Sequence, residues 1–115
     1  MATHNIINRL MQKQKELNLY EIIYLVKANY TDQELAAGID SYKDFITGAG
    51  SQVLIENRGK RRLSYPINGA ETATYIQMLF LANGPLLNQI NKRLGSDEGV
   101  IRHMTTCLKS HNTLS

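Results

Sequence analysis

Gly59-Lys60-Arg61-Arg62-Leu63-Ser64-Tyr65-Pro66-Ile67 is the stretch on which the reading of this 115-residue chain turns. Three cations follow a glycine, Arg58 precedes it, and an alternating apolar run with a Tyr-Pro step comes next. Glycine takes φ > 0 without a Cβ clash, so Gly59 is expected to turn the chain tightly. Beyond it, Leu63, Tyr65 and Ile67 fall on one side of an extended segment, with Arg62 and Ser64 on the other. Pro66 cannot donate to a ladder and so marks an edge strand, a bulge or a strand end. The plain reading of such a turn is a solvated basic hairpin. Four cations on a defined backbone, Arg58, Lys60, Arg61 and Arg62, also make a phosphate-contacting device, because they neutralise phosphates and release counterions.

On either side of this stretch the periodicity switches between strand and helix. Tyr20 to Val26 is a strand by its aromatic and β-branched content. Thr31-Asp32-Gln33-Glu34 is a capping box, and Leu35, Ile39, Tyr42 and Ile46 then recur at helical spacing until Gly48 and Gly50 stop the helix. Gln52 to Arg58 reads as a second strand. Glu71 to Ala82 is a third, after the Asn68-Gly69 turn signal. Gly84-Pro85 opens a second helix with its apolar face on Leu86, Leu87, Ile90 and Leu94, and Gly95 is expected to close it. Val100 to Leu108 is the last strand. The order βαββαβ predicts an α+β, ferredoxin-like fold, a four-stranded antiparallel sheet with two helices on one face.

Such a sheet leaves its other face open. On the first strand Tyr20, Ile22, Tyr24 and Val26 make one side, and Leu19, Glu21, Ile23 and Leu25 the other. The side bearing the charge is assigned to the open face, which exposes Ile23 and Leu25, with Leu79, Leu81 and Ala82 as companions. Exposed apolar residues there are either surface scatter or a protein interface, and the clustering favours the interface.

The motif G-K-R-R-L-S-Y-P-I resembles the G-x-R-x-L-A-Y-P-I signature of the bacterial-type small-subunit ribosomal protein six family. Leu19-Tyr20-Glu21-Ile22-Ile23, Tyr75-Ile76-Gln77-Met78 and Val100-Ile101-Arg102-His103-Met104 match that family in the right order, from about Leu19 to Lys109. The resemblance implies a non-enzymatic structural protein of the small ribosomal subunit. It would bind small-subunit ribosomal RNA together with ribosomal protein eighteen, in bacterial cytoplasm or plastid stroma. Candidate RNA contacts are Arg58, Lys60, Arg61, Arg62, Arg102, Lys13 and Lys15, and candidate partner contacts are Ile23 and Leu25. The chain departs from the family at Asn18 and Leu19, where many relatives are basic, at Ser64 in place of alanine, and at the polar Thr105-Thr106-Cys107.

Composition agrees with a single folded domain. Hydrophobic residues make up 43% of the chain, and no apolar run is long enough to span a membrane. The net charge of +3 is compatible with nucleic acid without being diagnostic. Its distribution says more: Glu56 to Arg62 carries four bases against one acid, whereas Thr31 to Gly48 carries four acids against Lys43. One surface is thus suited to a polyanion and another is turned away from it. Residues 1–18 read as an N-terminal basic extension, 19–110 as the domain and 111–115 as a short tail. In the extension, Ile6, Ile7, Leu10, Met11 and Leu17 alternate with Arg9, Lys13 and Lys15 as in an amphipathic helix, while Glu16 and the lack of serine weigh against a transit peptide.

Signals for catalysis are poor. His4, His103 and His111 share no metal-ligand spacing with each other or with Cys107. Cys107 is read as a small residue packed at the sheet, and as a lone cysteine it excludes an internal disulfide framework. Gly48-Ala49-Gly50 follows a helix and does not open one, so it is no phosphate loop. Tyr20, Tyr24 and Tyr75 are read as core and not as a base-stacking platform. An acylphosphatase-like hydrolase would need an anion cradle after the first strand, and Lys27-Ala28-Asn29-Tyr30 offers no glycine for one. No cofactor, metal or small-molecule substrate is expected. The remaining alternative is a small regulatory or ligand-binding module, which would show a cleft of convergent polar groups.

Overall fold

The computed structural model describes residues 17–109, built as β1 (Asn18–Lys27), α1 (Asp32–Gly48), β2 (Val53–Ile67), β3 (Ala70–Ala82), α2 (Gly84–Ser96) and β4 (Val100–Lys109). All pairings are antiparallel, and the sheet order is β2-β3-β1-β4. This is the ferredoxin-like arrangement expected from the element order. Residues 1–16, which hold Lys13 and Lys15 and most of the N-terminal extension, and residues 110–115 with the tail lie outside the described residues.

Local chemistry sets the helix ends. The capping box is present in full: the Thr31 amide donates to Glu34 Oε1 at 3.0 Å, and the Glu34 amide donates to Thr31 Oγ1 at 3.1 Å. Those hydrogen bonds, the backbone one first, hold the Glu34 carboxyl below its ordinary range. Asn83 caps α2, its Oδ1 accepting from the Leu86 amide at 2.9 Å, with Pro85 in the first turn. Gly95 does not close α2 as expected. It sits inside the last turn, and Asp97 ends the helix with Oδ1 accepting from the Gly99 amide at 2.9 Å.

Both helices cover the β1 face that carries Ile22, Tyr24 and Val26. These pack with Leu35, Tyr42, Ile46, Ile76, Met78, Phe80, Leu86, Ile90 and Leu94 in one core. Burial of a side chain of this size stabilises by roughly 1.5–3 kcal/mol, so the alternation of a single strand commits the whole sheet to one orientation. Ala82 belongs to this core and not to the open face where it was expected, because β3 alternates and Ala82 is in phase with Phe80 and Met78. Cys107 also departs from expectation. It is exposed, since it sits on the edge strand near its end.

The largest departure is in β2. Gly59 does not turn the chain back; β2 runs through it as a single strand to the Asn68-Gly69 turn. Asn57 pairs with Ile76 and Gly59 with Tyr75, which leaves Arg58 as an extra residue in a bulge. Gly59, at φ 93°, absorbs the irregularity. A second irregularity follows: Arg62 pairs with Thr72 and Ile67 with Ala70, so residues 63–66 stand opposite Glu71 alone. Pro66 falls within it, on the edge strand, where its missing N–H costs no ladder bond.

Candidate nucleic-acid and partner interface

The open face is built from the residues of β1, β3 and β4 that alternate with the core. Glu21, Ile23 and Leu25 of β1 pair with Leu79, Gln77 and Tyr75 on one side, and with Thr106, Met104 and Arg102 on the other. Cross-strand partners in an antiparallel pair point to the same face. Their polar groups are connected: Arg58 Nε and Nη2 donate to Gln77 Oε1 at 2.9 and 2.6 Å, and Gln77 Nε2 donates to Glu21 Oε2 at 2.7 Å. Arg58 Nη2 also stands 3.3 Å from Glu56 Oε2. A polar chain therefore crosses three strands, from β2 through β3 to β1.

Beside this chain lies an apolar groove of about 300 Å³, lined by Ile23, Leu25, Leu63, Tyr65, Ile67, Tyr75 and Met104, with Arg102 among them. The irregular segment 63–66 brings Leu63 and Tyr65 to the groove. Ile23 is 38% exposed, as expected, but Leu25 is only 7% exposed. Leu25 is on the expected face yet is covered, because the groove closes around it. Alternation along β1 could not reveal that cover, because the groove around Leu25 is lined by residues of three other strands, among them its cross-strand partners Tyr75 and Arg102. Met104, 65% exposed, and Tyr65, 62% exposed, supply the accessible apolar surface. Neither was singled out for the interface from sequence, although the phase of Tyr65 with Leu63 and Ile67 was a usable signal.

The cations of β2 do not form one cluster. Thr74 of β3 is in phase with the core residues Ile76, Met78 and Phe80, and it pairs with Lys60. Arg62 pairs with Thr72, two residues on, so Lys60 and Arg62 lie on the helix side of the sheet. Arg61 pairs with Ala73 and lies on the open side, its guanidinium carbon 5.0 Å from the centroid of the Tyr75 ring. Tyr75 is thus a half-buried support for an arginine and not the core residue expected, whereas Tyr24 is core and Tyr20 packs against Phe80. Arg102, paired with Leu25, joins Arg58 and Arg61 on the open side.

Among the described residues no group of His, Cys, Asp and Glu is placed to hold a metal ion. No described helix is long and apolar enough to cross a membrane. The chemistry available at this surface is neutralisation of phosphate and burial of an apolar partner.

Comparison with known proteins agrees with this geometry. The family model described as Ribosomal protein S6 matches residues 19–106. The chain is 33% identical over 91 residues to small ribosomal subunit protein bS6c of Pyropia yezoensis, covering 78% of this chain and 84% of that one. It is likewise 33% identical over 87 residues to small ribosomal subunit protein bS6 of Prochlorococcus marinus, covering 75% and 70%. The fold is similar to the crystal structure of 30S ribosomal protein S6 from Thermotoga maritima, with a TM-score of 0.73 at 19% identity, covering 79% and 87% of the two chains. With its βαββαβ sheet, its basic β2 arm and these matches along most of its length, the chain belongs to the Ribosomal protein S6 family of structural, non-enzymatic ribosomal components.

Proposed function

We propose that the chain, as a structural component of the small ribosomal subunit, binds small-subunit ribosomal RNA together with small-subunit ribosomal protein eighteen. The observation that carries the RNA part is the arm of β2, where Arg58, Lys60, Arg61 and Arg62 stand exposed on a strand whose register is fixed by β3. A cation on a paired strand loses less freedom on meeting a phosphate than one on a loose loop. Arg102 adds a further cation at the groove, and Lys13 and Lys15 would extend the contact along the N-terminal segment.

The partner part rests on the groove around Ile23 and Leu25. An apolar concavity edged by Arg102 and open to solvent is suited to burying a partner's apolar side chains, and such burial contributes about 25 cal/mol per Å². Protein and RNA would then share the cost of ordering one joint surface, with a coupling of about 1–3 kcal/mol.

The test is a titration of small-subunit ribosomal RNA with the wild-type chain and with a Lys60→Ala, Arg61→Ala, Arg62→Ala triple variant, each with and without protein eighteen. The reading expects weaker binding and a shallower salt dependence in the triple variant, and tighter binding when protein eighteen is present. Equal salt slopes would overturn the RNA part. Equal affinity with and without protein eighteen would overturn the partner part.

A further inference from the structure

We propose that the β2 arm is two-sided, with Lys60 and Arg62 as the principal phosphate contacts while Arg58 and Arg61 are engaged mainly on the open face. This rests on the RNA-binding reading above and narrows its principal contacts to two of the four arm cations.

The register separates them first. Lys60 pairs with Thr74 and Arg62 with Thr72, on the helix side, whereas Arg61 pairs with Ala73 and Arg58 reaches Gln77, on the open side. A single phosphate path running along one face of the arm meets one pair or the other.

Availability then decides between the pairs. Two of the Arg58 nitrogens are held by Gln77 Oε1 at 2.9 and 2.6 Å, and Nη2 is also 3.3 Å from Glu56. Turning Arg58 to a phosphate breaks these contacts and leaves Gln77 and Glu56 to find water. Arg61 is seated over the Tyr75 ring. Among the described residues, neither Lys60 nor Arg62 has a carboxylate within ion-pair distance, a hydrogen bond or a ring beneath it. Their charges are unspent, so a phosphate displaces only water from them.

The helix side also carries acids, on α1, but the carboxylates tied by ion pair or hydrogen bond into the neighbourhood of the arm are on the open side. The open side near Arg58 carries the carboxylates of Glu21 and Glu56, tied into the same polar chain. An RNA backbone laid there would face two like charges at short range. On the helix side the exposed Thr72, cross-strand from Arg62, has a hydroxyl that can donate to a phosphate oxygen, whereas Thr74, opposite Lys60, is buried and offers none. Lys60 and Arg62 are also two residues apart on one face of a paired strand, about 6.7 Å at the usual rise, a spacing suited to adjacent phosphates.

The consequence is that RNA bound to the arm leaves the groove around Ile23 and Tyr75 uncovered. Both of the chain's ligands would then be held on opposite faces of the same hairpin.

The experiment uses the full chain and small-subunit ribosomal RNA, measuring affinity over a range of salt for Arg58→Ala, Lys60→Ala, Arg61→Ala, Arg62→Ala and Arg62→Lys. All four positions are exposed, and thermal midpoints verify that each variant is folded. The expected result is a log-log slope shallower by about 0.7–0.9 in Lys60→Ala and in Arg62→Ala, a clearly smaller change in Arg58→Ala and Arg61→Ala, and the wild-type slope in Arg62→Lys, which keeps the charge. A slope lost equally in Arg61→Ala would overturn the two-sided arm and leave the RNA reading standing. A wild-type slope in every variant would overturn both.

Discussion

The hydroxyl of Tyr42 donates to Oδ2 of Asp97 at 2.9 Å, joining two residues fifty-five positions apart in sequence. Tyr42 is in the middle of α1, and Asp97 ends α2 and accepts from the Gly99 amide with its other oxygen. One carboxylate thus ties the first helix to the turn that launches β4. The ring of Tyr42 also lies against Tyr24 and beneath Arg93. Replacing Tyr42 by phenylalanine keeps those ring contacts and removes only the hydrogen bond. We expect a loss of about 1–2 kcal/mol in urea unfolding, since the acceptor is charged. Tyr24→Phe should behave differently. Its hydroxyl is buried with no partner among the described residues, so its removal should cost under about 0.5 kcal/mol or stabilise the chain. A loss in Tyr24→Phe as large as that in Tyr42→Phe would show that the Tyr24 hydroxyl is satisfied after all.

The same two tyrosines set the behaviour at high pH. Both phenols are pushed well above their ordinary pKa of 10.0, first by burial and then by the Asp97 carboxylate. A folded-state pKa above the unfolded one gives stability that is fully present below about pH 10 and lost as pH rises towards the folded value. The thermal midpoint should therefore fall above about pH 10, and fall less steeply in a Tyr24→Phe, Tyr42→Phe double variant. Parallel pH profiles for the two proteins would contradict this assignment.

Ile23 and Leu25 share a face but differ in cover, and substitution should separate them. Leu25→Ala removes a side chain that is 7% exposed and should cost about 2–3 kcal/mol. Ile23→Asp alters a residue that is 38% exposed and should change the unfolding midpoint little. If the groove is a partner site, Ile23→Asp should instead weaken the effect of protein eighteen on RNA binding, because a carboxylate would be buried unpaired at the contact. Equal destabilisation by the two substitutions would mean that the cover over Leu25 contributes nothing.

Gly59 has φ 93°, a backbone conformation that costs an L-residue roughly 1–2 kcal/mol. Among the described residues, none beyond its chain neighbours stands within 4 Å of a Cβ built there, so the strain would be conformational and not a clash with packing. Gly59→Ala should lower stability by about that amount, and Gly59→Asn by less, since asparagine tolerates positive φ better. If the bulge relaxes in the alanine variant, the salt dependence of RNA binding should change with it, because Lys60 and Arg62 would move to the other face.

The sequence alone determined the order of the elements and the face of β1 that is buried, though not that β2 runs on through Gly59. These follow from short-range causes: the capping box at Thr31 and Glu34, the helical spacing of Leu35, Tyr42 and Ile46, and the alternation of Ile22, Tyr24 and Val26. The basic arm was equally legible, because charge is written residue by residue. Which way each cation of that arm points was decided only by the tertiary structure. Straight alternation from Glu56, on the open face with Gln77, would put Lys60 and Arg62 on that same face and Arg61 on the other. The extra residue at Arg58 shifts the strand by one and reverses all three assignments. A bulge exists only relative to a partner strand, and nothing in residues 53–67 states their register against β3. The burial of Leu25 has the same origin, since the groove around it is lined by residues of β2, β3 and β4 that come together only once the sheet has assembled.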